Sequence, residues 1–231
     1  MAGTERLEGL QEAPLVVFSN HPAWWDPLMG LQLHRSFFSE RRAHAPIEAK
    51  ALERYGIFNM LGFFGVEPGQ KGARTFLRIA RTLVDDPEAS LWLTPEGELR
   101  DPRERPVRFE PGLAHVAAHA PRAVFLPVAY EYPFGYERKP EALAQFGEPI
   151  SGERFAGLDT QHINVRLEAA LTHTMDELAT AVLTRDWAHF PVVWQGSAGT
   201  DLIYDTWRRV KRWFTGETYA PEHESVIRSK F

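Results

Sequence analysis

Short unbroken apolar runs alternate along this chain with segments whose apolar positions recur every three or four residues. Residues 14–18, PLVVF, form the first run; Ser19-Asn20 follow it, so it reads as a buried strand. Asp26-Pro27 then opens PLMGLQLHR, which predicts a helix with Asp26 as N-cap and Pro27 in its first turn. HAPIEAK predicts a second strand, and FFGVEPGQKG a third that ends in a glycine-rich loop. In residues 75–84, Phe76, Ile79, Ala80 and Leu83 share one helical face. SLWLTPEG predicts a strand ending in a turn, DPRERPVRFEPG a proline-punctuated loop, GLAHVAAHA a helix and RAVFLPVAYEY a strand. ALAQFGEPI predicts another short strand, and residues 161–184 the longest helix.

Strands alternating with helices predict an α/β fold with a mostly parallel central sheet flanked by helices. Without repeats, low-complexity tracts or a clear linker, residues 1–185 read as one domain and 186–231 as a helical C-terminal extension. Within the extension, DLIYDTWRRVKRWF places Ile203, Trp207, Val210 and Phe214 on one stripe, with Arg208, Arg209, Lys211 and Arg212 on its flanks. Such a helix suits an anionic membrane surface, and equally a helix packed on the domain with its charges in water.

Composition narrows the function classes. A chain of 231 residues with 44% hydrophobic and 25% charged content can bury a full core. The formal net charge of -5 argues against a general nucleic-acid binder. With no cysteine there is no disulfide, thiolate zinc site or cysteine nucleophile. The charged start, MAGTERLEGLQEAPL, is not a signal peptide, and no run approaches the ~18 apolar residues of a membrane span. The expectation is a cytoplasmic protein that touches a membrane only peripherally, at its inner face.

The richest stretch for chemistry is SNHPAWWDP, residues 19–27. A neutral imidazole at His21 can take a proton near pH 7, and the Asp26 carboxylate can hold its other nitrogen in one tautomer. A strand exit is where α/β proteins assemble their sites. The plainer reading is a helix cap beside an incidental histidine. His115 and His119 share a helical face as two metal ligands would, but no glutamate stands between them as in the zinc-protease helix. They are expected to be locally hydrogen-bonded, and no metal is expected.

NHPAWWD resembles the Asn-His-x4-Asp block of the glycerolipid acyltransferase family, which includes the lysophosphatidate-forming acyltransferases. Three further blocks follow in that family's order: GFFGVEPG; LWLTPEGELR with Pro95-Glu96-Gly97; and FLPVAYEY with Pro127. The resemblance implies acyl transfer from an acyl thioester, acyl-CoA or acyl-carrier protein, to a lipid hydroxyl, with no other cofactor. It implies His21 as general base and Asp26 as its orienter. Asn20, Glu96, Gly97, Arg100 and Pro127 fall among the substrate-binding positions. The oxyanion would be met by backbone N–H groups at the start of the helix after Asp26 or near Gly97.

Two departures bear on the acceptor. The family's second block commonly ends in a phosphate-binding arginine, where this chain has Val66-Glu67-Pro68; Lys71 and Arg74 lie just beyond and are the candidates to compensate. Glu98 stands where the third block usually has threonine. Arg100, Arg103, Arg105 and Arg108 crowd one loop, suited to phosphoryl groups or, beside Asp101 and Glu104, to plain solvation. Two alternatives stand beside the acyltransferase: a thioesterase or lipid hydrolase using the same His-Asp pair, and a non-catalytic lipid-binding module.

Overall fold

A computed structural model of the chain describes residues 1–134, 140–185 and 190–194. The strands are β1 (Leu15–Ser19), β2 (Arg42–Glu48), β3 (Phe63–Val66), β4 (Ala89–Leu93), β5 (Val124–Glu131), β6 (Leu143–Phe146) and β7 (Ile150–Ser151). The helices are α1 (Asp26–Phe37), α2 (Ala49–Arg54), α3 (Ile57–Met60), α4 (Gln70–Leu83), α5 (Gly112–Ala117) and α6 (Thr160–Thr184). The sheet runs β3-β2-β4-β1-β5-β6, with β7 also on β5. The first five strands of that path are parallel, while β6 and β7 return antiparallel along the outer side of β5. The α/β, mostly parallel expectation is met, with helices on both faces.

β1 is central, between β4 and β5, and every one of its five residues is buried. A strand covered on both faces has no reason to alternate, which is why it reads as an unbroken run. Leu15 and Val17 face one core, shared with Leu33 and Phe38 of the α1 side. Val16 and Phe18 face the other, shared with Ala80 of α4, Leu113 of α5 and Leu167 and Leu171 of α6. Ile163, Leu167, Leu171, Met175 and Leu178 give α6 the four- and three-residue spacing of a helix buried along one stripe.

The structure departs from the sequence reading in three places. Between β2 and β3, where no element was expected, stand α2 and α3. Helices of six and four residues are too short to display a periodicity. α4 begins at Gln70, five residues before Thr75, because Gly72 lets the first turn pack on the Glu67 carbonyl; a Cβ there would lie 1.6 Å from that oxygen. Asp26 is the first residue of α1 and Trp25 its N-cap position, with no side-chain cap bond. The amphipathic segment 201–214 lies outside the described residues.

One half-buried polar cluster is expected to make stability depend on pH. His34 of α1 has Nδ1 3.3 Å from Ser90 Oγ of β4, and Trp92 Nε1 donates to the same oxygen at 3.1 Å. Burial, with smaller contributions from the Arg41 and His44 charges, holds the His34 imidazole below its ordinary value. The unfolded chain therefore binds the proton more readily, so His34 contributes stability that is present above about pH 6.5 and is lost as pH falls below it. Thermal melts from pH 7 to 5 should show a smaller drop in His34→Gln than in the native chain; equal drops would remove His34 as a source of the acid sensitivity.

Candidate functional site

Three loops meet at the carboxyl ends of β1, β4 and β5, where an open parallel sheet leaves a crevice. β1 exits into Asn20 and His21, and the chain turns through Ala23–Trp25 into α1. His21 Nδ1 lies 2.6 Å from Asp26 Oδ2. The Asp26 side chain is 1% exposed and that of His21 is 21% exposed. A carboxylate oxygen accepts, so Nδ1 carries the hydrogen and the unprotonated nitrogen is Nε2. An imidazole that is partly exposed, with one nitrogen held by a buried carboxylate, can take a proton from a docked hydroxyl.

Asp26 is held by more than His21. The Ala23 N–H donates to Oδ2 at 3.1 Å, and the Tyr132 hydroxyl donates to Oδ1 at 2.7 Å. The carboxylate does accept a backbone N–H, but from the turn before α1 rather than from the helix itself. Burial chiefly, then the bond to Asp26, pushes the Tyr132 hydroxyl above its ordinary value, and burial does the same to Tyr130, so both remain protonated donors. The sequence reading missed both tyrosines: FLPVAYEY gives Tyr130 and Tyr132 no role as a motif, and their spacing of two shows a shared face but no partner.

The β4 loop clasps the His21 backbone. His21 N–H donates to Glu96 Oε2 at 3.3 Å, and Arg100 N–H donates to the His21 carbonyl at 3.0 Å. Glu96 is buried, and that burial pushes its carboxyl above the usual carboxylate range. Gly97 takes φ +73°, a left-handed conformation that suits glycine at the turn. Arg100 pairs with Glu98 and, at 3.4 Å, with Glu104, while its Nε is buried without a partner. The other loop arginines are also matched: Arg103 with Asp101, Arg105 with Asp176 and Arg108 with Glu168.

The remaining expected positions sit elsewhere. Asn20 spends its amide on β5: Nδ2 donates to the Tyr130 carbonyl at 3.0 Å and Oδ1 accepts the Tyr130 N–H at 2.8 Å. It therefore extends the β1–β5 ladder by a side chain, which leaves its amide engaged rather than free for a ligand. Pro127 is buried in β5, with its ring close to Gly147 and its carbonyl accepting the Gly147 N–H at 2.9 Å. Lys71 pairs with Glu67 at 3.0 Å, and both Lys71 and Arg74 are exposed at the start of α4. They follow β3, three strands from β1, roughly 14 Å at the usual spacing.

The N–H groups proposed for an oxyanion are engaged within the chain. Asp26 N–H donates to Ala23, Leu28 and Met29 N–H both donate to Trp25, and Gly97 N–H donates to Thr94; Pro27 has none. Trp24 and Trp25 lie outside both cores: their rings stack 4.0 Å apart, and Trp24, three residues after His21, is 65% exposed. His119 Nδ1 donates to the His115 carbonyl at 2.9 Å, and among the described residues no group of three or more potential metal ligands is found. Nor, among them, is any helix long and apolar enough to cross a membrane.

Compared with known proteins, residues 3–131, more than half of the chain, match the model of a family described as Acyltransferase. No curated protein matches the chain.

Proposed function

This chain belongs to the glycerolipid acyltransferase family and is an acyltransferase, and on that premise we propose that His21 is the general base that moves a fatty acyl group from an acyl thioester to a lipid hydroxyl. The observation that carries the reading is the 2.6 Å contact between His21 Nδ1 and the buried Asp26, which leaves Nε2 as the basic nitrogen of a solvent-reached ring.

The step balances without a covalent enzyme intermediate. Nε2 takes the proton of the acceptor hydroxyl as its oxygen bonds to the thioester carbonyl carbon. The tetrahedral oxyanion collapses, the carbon–sulfur bond breaks, and the imidazolium returns the proton to the leaving thiolate. Asp26 keeps Nδ1 as the donor and stabilises the imidazolium while it exists. The donor is acyl-CoA or acyl-carrier protein, and the chemistry requires no metal or other cofactor.

Lys71 is drawn to Glu67, and the loop arginines are matched by carboxylates, so a cationic phosphate clamp is not built in advance. Arg100, whose backbone N–H holds the His21 carbonyl, is the loop arginine adjoining the dyad and would meet the acceptor's polar head by exchanging Glu98 and Glu104 for it. The exposed Trp24, Trp25 and Leu28 next to His21 suit peripheral contact with the inner face of a membrane, where the lipid acceptor resides.

Incubating the protein with radiolabelled acyl thioester and lipid extract in anionic vesicles tests these points together. The expected outcome is a labelled acyl lipid, with protein that pellets with the vesicles. Free fatty acid as the sole labelled product would replace transfer with hydrolysis by the same His-Asp pair.

A further inference from the structure

We propose that Tyr132 is a positioning residue for the dyad, acting through Asp26 on the basicity and aim of His21. The inference rests on the assignment of His21 as the base. Asp26 has two oxygens and three donors. Oδ2 serves His21 and the Ala23 N–H, and the donor seen at Oδ1 is the Tyr132 hydroxyl, 2.7 Å away. The side chain is buried, so no bulk water replaces that donor. The last torsion of an aspartate is broad, so donors on both oxygens fix it more tightly than donors on one. Tyr132 supplies the second hold from 106 residues away, tying the end of β5 to the start of α1.

The bond also sets how much negative charge Asp26 presents to the imidazole. A hydroxyl donating to Oδ1 draws charge from the carboxylate, so less remains to stabilise the imidazolium. Tyr132 stays protonated across the working range because burial and the neighbouring carboxylate both oppose its ionisation. The other ionisable groups around the pair are Tyr130 on the same strand face, Glu96 on the His21 N–H, and Arg100 and Glu104 acting on Glu96. None of these donates to Oδ1.

Tyr132→Phe keeps the ring and deletes the donor. The expected result is a kcat lower by about ten-fold, the order set by one hydrogen bond to a charged group, with KM for the acyl donor unchanged. The acid limb of the kcat/KM profile should move to higher pH, because Asp26 is left with more charge for His21. A packing role alone would lower the melting temperature without moving that limb.

The same shift should be read by NMR in the His21 ring resonances, assigned by their loss in His21→Gln. That titration needs no turnover, so it separates this inference from the acyl-transfer assignment. Absence of turnover in the native protein with a shifted titration in Tyr132→Phe would sink the reaction and leave the positioning role. An unchanged His21 titration and pH profile in Tyr132→Phe would overturn the role of Tyr132.

Discussion

His21→Ala is expected to lower acyl-transfer turnover about a thousand-fold while leaving the protein folded. General-base catalysis contributes about 10²–10⁴-fold, and His21 is the ring that the buried Asp26 holds. The fold should persist, because the imidazole is partly exposed and the buried Asp26 keeps the Ala23 N–H and the Tyr132 hydroxyl as donors; losing the His21 donor should cost about 1–3 kcal/mol. Asp26→Asn added to His21→Ala should cost little further, since the carboxylate works through the ring. Turnover with labelled acyl thioester, measured beside a thermal melt, decides it: near-native turnover in a folded His21→Ala protein would remove His21 from the reaction.

Asn20→Ala is expected to be the most destabilising of the substitutions in the site. The amide satisfies both backbone groups of Tyr130 in a region where Asn20 and Tyr130 are each about 1% exposed. Deleting it orphans a buried N–H and a buried C=O, each costing about 1–3 kcal/mol, so a loss of about 2–6 kcal/mol is expected. In a chain of this size that lowers the melting temperature by roughly 4–24 °C. Were Asn20 a ligand contact instead, Asn20→Ala would raise KM and leave the melt nearly unchanged. Denaturant unfolding and steady-state kinetics on one preparation separate the two outcomes.

The residues of the site divide by how far apart they lie in sequence. The dyad spans five positions, and both of its members were legible from the spacing and from the resemblance of NHPAWWD to the acyltransferase block. The turn at Glu96-Gly97 was legible as a turn, though the grip of the buried Glu96 on the His21 backbone was not. Tyr132 and the clasp between Asn20 and Tyr130 were unreadable because they join the β5 segment to the start of α1 and to the exit of β1 across more than a hundred residues. Arginines crowding one loop invited a phosphate site, whereas folding brings Asp176 and Glu168 of α6 against two of them.

What the sequence determined alone is what local forces decide: the buried strands and longer helices, the α/β class, and the histidine and aspartate on one strand-to-helix turn. Apolar periodicity reports which face of an element leaves water, and it does so within a few residues. What only the tertiary structure decided is which neighbours fill the polar groups those residues bring. The strand order sets β4 and β5 on either side of β1, and so supplies Glu96, Arg100, Tyr130 and Tyr132 to His21, Asp26 and Asn20. A buried polar atom must find a partner wherever the fold puts one, and that partner's distance along the chain leaves no periodic trace.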